Sequence, residues 1–282
     1  MQRILIPTDF SENALNAIRY ALELFKDKES EFYLMHAYHD EVDEEGIHFN
    51  QNAQEEVTQV ANIKSKQLLL RTLEEITKIS NNPKHKYLTI SSDSMLIDET
   101  DKIVDDNNID LIIMGTQGEV KNRKLTFGSH TLQILKNVQC PVLAIPDHYR
   151  YQPIKHILFP TNYLIPFKHR ELQLLNEIML PFQPEIDLLY ISLSDHLSTR
   201  QEDNRIFLLE ELYNNKINIK HANQKDIGNT IFKYIDEHDI DMLVMLNTRH
   251  SFLENILFQS VIDKLSLHIK IPFLAIQNMR YC

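Results

Sequence analysis

Gly115-Thr-Gln-Gly118-Glu-Val-Lys-Asn-Arg-Lys-Leu-Thr-Phe-Gly128-Ser129 follows the apolar run Ile109 to Met114 and precedes the amphipathic segment Thr131 to Val138. This order predicts a strand, a glycine-containing loop and the start of a helix. Glycines at the strand exit and in the loop let backbone amides approach a bulky anion, because no Cβ intervenes. Gly128 and Ser129 fall where a helix N-terminus exposes unpaired N–H groups and a partial positive charge. The stretch therefore predicts a phosphate site.

Glycine is scarce in this chain, which makes its positions informative. Only five occur in 282 residues, and Gly115, Gly118 and Gly128 are three of them; the others are Gly46 and Gly228. A chain this sparing of glycine retains it where the backbone geometry demands it. The alternative is that all three are ordinary turn glycines, but a single turn does not need three at this spacing.

Three segments together carry a family resemblance. The pattern G-x2-G-x9-G-[ST] resembles the ATP-binding loop of universal stress proteins, and every position of it is met. Arg3-Ile-Leu-Ile-Pro-Thr-Asp9-Phe-Ser11 resembles the first strand and the adenosine-contacting turn of that family, and Cys140-Pro-Val-Leu-Ala-Ile-Pro146 resembles its closing strand. The matches come in the family's order and at a plausible domain length.

The resemblance implies an adenine nucleotide as ligand, namely ATP with or without Mg²⁺. The residues implied to contact the adenosine are Pro7, Thr8, Asp9, Ala37, Met114 and Gly115. Those implied to contact the phosphates are Gly118, Gly128, Ser129 and His130. His130 stands where the family more often has an apolar residue, so its ring either donates to a phosphate or faces solvent. The loop also carries three cations, Lys121, Arg123 and Lys124. Their side chains either contact a triphosphate or are solvated.

Asp9 has two interpretations that both fit the sequence. Its carboxylate could accept hydrogen bonds from ribose hydroxyls or adenine, as acidic groups near nucleosides do. It could instead cap the helix that starts near Ser11, since aspartate is a favoured capping residue. Ser11 is itself a candidate for that cap.

The bulk properties restrict the function classes. The length suits two domains, and 43% hydrophobic with 24% charged residues is an ordinary soluble composition. A net charge of −11 argues against a nucleic-acid binder and against an anionic membrane surface. ATP stays compatible, because backbone amides and a few local cations can recognise phosphates. With neither a signal peptide nor a bilayer-length apolar run, we expect a cytoplasmic protein.

Metal and catalytic motifs are weak in this sequence. Cys140 and Cys282 have no metal-ligand spacing, and Cys140 is expected to be a buried small hydrophobe. His36, His39 and His48 lack a second cluster at metal spacing, and His36 is expected to be structural. The chain has no G-x4-G-K-[ST] loop and no G-x-S-x-G elbow. No metal site and no catalytic residue is therefore predicted.

The two halves of the chain are duplicates. Each match pairs a segment of the first half with one of the second: Ile4 to Phe10 with Ile157 to Tyr163, Asp110 to Met114 with Asp241 to Met245, Phe127 to Ser129 with Phe258 to Ser260, and Pro141 to Ile145 with Pro272 to Ile276. Repetition of this length predicts two whole domains, at 1–148 and 153–282, rather than a solenoid.

The offset between the repeats changes along the chain. Asp9 and Asn162 are 153 positions apart, whereas Gly128 and Gln259 are 131 apart, so the first repeat carries 22 extra residues between these points. The second strands of the two repeats still align at nearly the offset of 153. The insertion therefore lies after this strand, in the acidic stretch His39 to Asn62. A solvated loop or helix extension is favoured there over a partner-binding arm.

Alternating strand and helix patterns predict the fold class. In the first repeat, strands are predicted near 2–7, 31–37, 86–91, 109–115 and 141–145, and helices near 12–27, 53–80, 94–107 and 128–138. This alternation predicts two tandem doubly wound α/β domains with parallel five-stranded sheets, of the Rossmann-like type to which adenine nucleotide α-hydrolases belong. Ligands in such folds lie beyond the carboxyl ends of the strands.

The second repeat has lost the nucleotide signature. Asp9, Gly115, Gly118 and Gly128 correspond in order to Asn162, Leu246, Arg249 and Gln259, while Ser129 keeps its counterpart in Ser260. Side chains now occupy the space that a phosphate needs, so ATP is expected in the first repeat only. Binding of a different anion by Arg249 and His250 is the minority alternative.

Three functional classes stay open at this point. The leading one is a regulatory or stress-response module that holds ATP; the others are a slow ATPase or nucleotidyl-transfer enzyme, and a scaffold with a vestigial site. No protein partner can be named. Because apolar edge strands need cover, we expect Val142–Ile145 and Phe273–Ile276 to pair as an intramolecular pseudo-dimer, with a homodimer through other surfaces still compatible.

Overall fold

The computed structural model describes residues 1–39, 51–116, 127–194, 196–247, 253 and 269–277, with side chains of the long second helix described from residue 55. The chain divides into two compact units, with the boundary between Tyr151 and Gln152. Each unit is built around its own parallel sheet.

The first unit alternates strands and helices. Its elements are β1 (Gln2–Pro7), α1 (Glu12–Leu24), β2 (Ser30–Ala37), α2 (Gln51–Ile79), β3 (His85–Ser92), α3 (Leu96–Asn107), β4 (Leu111–Gly115), α4 (Ser129–Asn137) and β5 (Val142–Ile145). The strand order is β3-β2-β1-β4-β5, and all neighbouring pairs are parallel. The strand order reverses between β1 and β4, where open α/β sheets carry their ligands.

The core of the first unit lies in its central strands. Ile4, Leu5 and Ile6 of β1 are fully buried, as expected for a strand covered on both faces. α1 packs on β4 and β5, and α2 packs on β2 and β3. Cys140 is fully buried at the entry to β5, and burial, reinforced by the nearby Asp110, raises the pKa of its thiol. The thiol is therefore a packing group.

The second unit repeats the same plan. Its elements are β6 (His156–Thr161), α5 (His169–Met179), β7 (Glu185–Ile191), α6 (Thr199–Glu211), β8 (Lys216–Ala222), α7 (Ile227–Glu237), β9 (Met242–Asn247) and β10 (Phe273–Gln277). The strand order is β10-β9-β6-β7-β8, again parallel throughout. The predicted doubly wound α/β fold is confirmed in both units.

The helix after the second strand distinguishes the two units. α2 has 29 residues, whereas its counterpart α6 has 13. Much of the extra length of the first repeat is therefore helical. Across the described part of the chain, none of the helices combines the length and the apolar character needed to cross a bilayer.

Candidate functional site

The turn between β1 and α1 is held by side chains of its own residues. The N–H of Phe10 donates to Thr8 Oγ1 at 3.0 Å, and the N–H of Ser11 donates to Asp9 Oδ1 at 3.1 Å. Phe10 has a left-handed φ of 61° between these two bonds. Ser11 then caps α1 by accepting the N–H of Ala14 at 3.2 Å. Asp9 thus builds the turn, and Ser11 is the cap.

The same turn occurs in the second unit. The N–H of Tyr163 donates to Thr161 Oγ1 and that of Leu164 to Asn162 Oδ1, both at 3.0 Å. Tyr163 has a φ of 57°, matching Phe10. The turn therefore requires only an acceptor oxygen at the Asp9 position, and asparagine supplies it equally well.

Gly115, the last residue of β4, is required by a close approach of α1. A Cβ built on Gly115 would lie 2.6 Å from Nδ2 and 2.8 Å from Cγ of Asn13, whose side chain is almost fully buried. The φ of Gly115 lies outside the left-handed region, so space rather than backbone conformation demands glycine here. Packing by Asn13 is a role for Gly115 that the sequence pattern did not reveal.

Two hydrogen bonds fix the start of α4 against the end of β4. The N–H of Gly128 donates to the carbonyl of Thr116 at 2.7 Å, and Thr131 Oγ1 donates to the carbonyl of Gly115 at 2.9 Å. Thr131 and Phe127 are buried on either side of this junction. The first turn of α4 is thereby held at the carboxyl edge of the sheet.

The N-cap residue of α4 is a glycine. Gly128 occupies this position in extended geometry and, having no side chain, makes no side-chain capping hydrogen bond. Ser129 and His130 follow as exposed residues. The first amides of a helix have no intrahelical partner, and they carry a partial positive charge. This helix end is therefore suited to bind an anion.

The predicted contact residues gather at one edge of the first sheet. Pro7 ends β1, Ala37 ends β2 and Gly115 ends β4, and these three strands are neighbours in the sheet. Thr8 and Met114 beside them are buried, whereas Asp9 is exposed. Gly118, Lys121, Arg123 and Lys124 lie outside the described residues.

A cavity of about 550 Å³ lies between the β1–α1 turn and α2. Its walls come from the turn, from β2 and from one side of α2: Asp9, Phe10, Ser11, Glu12, Asn13, His36, Ala61, Lys64, Ser65 and Leu68. His36 Nδ1 lies 3.0 Å from Ser65 Oγ, which also accepts a hydrogen bond from Ser91 at 2.7 Å. The Phe10 and His36 rings lie 4.6 Å apart.

Among the described residues of the second unit, a small cavity lies at the ends of β6 and β9. A cavity of about 20 Å³ lies there, lined mainly by Phe159, Asn162, Phe167 and Leu246. That volume holds about one water molecule. Leu246 stands in the position of Gly115 and is itself buried. Arg249, His250, Gln259 and Ser260 lie outside the described residues.

The fold is that of a tandem doubly wound α/β protein, and the start of α4 in its first unit is suited to bind an anion. The sequence profile of the Universal stress protein family matches residues 1–146 and 185–277. The chain belongs to this family, and the predicted resemblance is confirmed.

Individual relatives agree with this assignment. Two universal stress proteins of Methanocaldococcus jannaschii are 28% and 24% identical over 153 and 144 residues, covering 51% of this chain in each case and 94% and 81% of the relatives. The crystal structure of a universal stress protein from Archaeoglobus fulgidus is similar with a TM-score of 0.67, at 16% identity over 98% of this chain and 96% of that one. A functionally unknown protein from Pseudomonas aeruginosa gives a TM-score of 0.58, at 12% identity over 98% and 92%. Both structures share the fold.

Proposed function

We propose that the first unit binds ATP and that its phosphates lie on the N-terminus of α4. The observation that carries the proposal is this helix start, which has a glycine as its N-cap and is held at the carboxyl edge of the sheet by Gly128 and Thr131. Its amides would donate to phosphate oxygens. The other residues proposed to contact the phosphates are Gly118 in the preceding loop and the exposed Ser129 and His130.

The adenosine is assigned to the adjacent strand ends. Asp9 would accept from the ribose or the base through its carboxylate, while Pro7, Thr8, Ala37 and Met114 line the sugar and base. The reversal of strand order between β1 and β4 supports this assignment, since nucleotides bind at such points. A Mg²⁺ ion would accompany the phosphates of ATP.

The second unit is proposed to lack a nucleotide. Among the described residues, the cavity at the ends of β6 and β9 measures about 20 Å³, far below the roughly 300–1,000 Å³ typical of small-molecule sites. Leu246 replaces the strand-end glycine, which removes the close backbone approach. We therefore assign residues 1–148 as the nucleotide-binding domain and 153–282 as its degenerate copy.

As a whole, the protein would act as a nucleotide-binding regulatory module of the cytoplasmic stress response. The experiment is to denature the purified protein and to identify any released nucleotide by mass spectrometry. Release of an adenine nucleotide near one per chain, or stoichiometric uptake when ATP is added to the emptied protein, supports the proposal. A protein that releases no adenine nucleotide and takes up none contradicts it.

A further inference from the structure

The amino-terminal edge of the second sheet holds a histidine and two carboxylates. His156 begins β6, Glu185 begins β7, and Asp187 follows on the same face of β7. One donor atom from each of the three lies within 4.8 Å of the other two. Nε2 of His156 is 3.0 Å from Oδ2 of Asp187. This edge is the one opposite to the strand ends discussed above.

The first repeat provides an internal comparison for these positions. His156 and Glu185 are paired in the sheet as Arg3 and Glu31 are in the first unit. The residue two places after Glu31 is Tyr33, which places a phenol where the second repeat has Asp187. Asp187 is only 2% exposed. A buried carboxylate costs free energy that a tyrosine does not, and at Asp187 an ion pair with His156 and hydrogen bonds from Asn218 and Tyr234 compensate that cost.

Neighbouring side chains already orient both carboxylates. Asn218 donates one hydrogen bond to Asp187 Oδ1, at 2.8 Å, and another to Glu185 Oε1. The Tyr234 hydroxyl donates to Asp187 Oδ2 at 2.5 Å. Ligating carboxylates are commonly held in this way by a surrounding set of hydrogen bonds.

The imidazole of His156 completes the cluster. Its Nε2 atom is shielded from solvent and lies 3.0 Å from Asp187 Oδ2, with which it forms an ion pair when the ring is protonated. An imidazole nitrogen and two carboxylates are a donor set that Zn²⁺ uses, with bonds of about 2.0–2.2 Å. Tetrahedral bonds of that length separate ligand atoms by about 3.4 Å, within the range found here.

We propose that the second unit binds one Zn²⁺ ion through His156, Glu185 and Asp187. The ion takes the place of the His156 proton beside the buried carboxylate and joins the first residues of two adjacent strands. Lys216 opposes binding, because its ammonium lies 2.8 Å from Glu185 Oε2 while its side chain is largely exposed. The site is independent of the nucleotide proposal.

The test is zinc titration of the full chain after chelator treatment, in buffer free of nucleotide, followed by calorimetry and by competition with a chromophoric chelator. We expect one Zn²⁺ per chain. His156→Ala and Asp187→Asn should each weaken binding by at least about tenfold. Lys216→Ala should strengthen it, since a competing positive charge is removed. Co²⁺ bound at the same place should give the visible absorption of a Co²⁺ ion of low coordination number. His156→Ala should abolish that absorption.

Two matched controls keep the result specific. Arg3→Ala changes the corresponding edge of the first repeat, and His169→Ala removes the exposed histidine that lies 2.7 Å from Glu211. Neither should alter zinc affinity. If Asp187→Asn does not fold, His156→Ala and Lys216→Ala still decide, since both side chains reach solvent. Failure to bind at about 1 mM Zn²⁺, or equal affinity in His156→Ala, would overturn the proposal.

Discussion

At Asp9, the turn and the proposed ligand make different demands on one side chain. The turn needs a single acceptor oxygen for the N–H of Ser11, and Asn162 provides the equivalent oxygen in the second unit. A nucleoside hydroxyl gains more from a full carboxylate, because charge-assisted hydrogen bonds are stronger. The two demands can therefore be separated by mutation.

Asp9→Asn should keep the fold and weaken ATP binding. The amide oxygen preserves the turn, while loss of the charge should reduce the binding free energy by about 1–3 kcal/mol. Asp9→Ala should weaken binding similarly and also lower the melting temperature, since the turn loses its acceptor. Calorimetry and thermal unfolding of both variants make the comparison. Unchanged affinity in folded Asp9→Asn would remove Asp9 from the proposed site.

Gly115 is constrained by Asn13 as well as by any ligand. Gly115→Ala should destabilise the protein by about 1–3 kcal/mol, because a methyl group is forced against a buried amide. Asn13→Ala opens that space, so the double variant should be more stable than the sum of the two single changes predicts. Urea unfolding of the parent, the two single variants and the double variant gives the four free energies of unfolding of a double-mutant cycle. A Gly115→Ala variant as stable as the parent would contradict this account of the contact.

At the scale of elements, the start of α4 carries the proposed function. Proline is tolerated at the first helical position, where its missing N–H has no intrahelical partner. Gly128 already has φ −65° and ψ 167°, which a following proline accepts. Ser129→Pro should therefore remove one phosphate-facing N–H while leaving the helix formed.

We expect Ser129→Pro to lose ATP affinity by about tenfold or more, equivalent to about 1.4 kcal/mol, with little change in thermal stability. Ser129→Ala is the matched control, because it removes the hydroxyl and keeps the N–H. It should bind ATP more tightly than Ser129→Pro does. Equal affinities of the parent and a folded Ser129→Pro protein would show that this amide is not a phosphate donor.

The loop before α4 offers a second test at this scale. Gly118→Val should abolish ATP binding without unfolding the protein, because a branched side chain would occupy the volume assigned to the phosphates. Glu119→Ala in the same loop is the control and should bind normally. ATP calorimetry together with circular dichroism of both variants separates a local effect from misfolding. Retained affinity in folded Gly118→Val would exclude the loop as the phosphate site.

Sequence reasoning was strongest for the elements and weakest for what packs between them. The strand predicted near 86–91 is found at His85–Ser92 and the helix near 53–80 at Gln51–Ile79, because hydrophobic periodicity identifies long elements well. The cavity beside Phe10 was missed. It depends on how far α2 stands from the β1–α1 turn, which residue spacing along the chain does not encode.

The cluster at the edge of the second sheet was missed for a related reason. His156, Asp187 and Tyr234 are far apart in sequence and have no motif spacing. Only the register of β6 against β7 and the packing of α7 bring them together. Metal-ligand patterns read from a sequence detect ligands on one local segment, whereas the proposed ligands come from two strands, β6 and β7.

At the scale of the whole molecule, duplication followed by divergence explains the arrangement. Both units keep the strand order and the same β–α turn, since these carry the fold. The first has a glycine at the end of β4, whereas the second has the buried Leu246 there, beside Phe159 and Phe167. Among the described residues, the two units thus share a scaffold and differ in the space that a ligand needs.

The most direct test of this account is calorimetric titration of the nucleotide-free full chain with ATP and Mg²⁺. One binding site per chain is predicted, and Ser129→Pro should lower its affinity without changing the fold. Two equivalent sites per chain would contradict the assignment of the second unit as degenerate. Absence of binding at millimolar ATP would contradict the nucleotide site altogether.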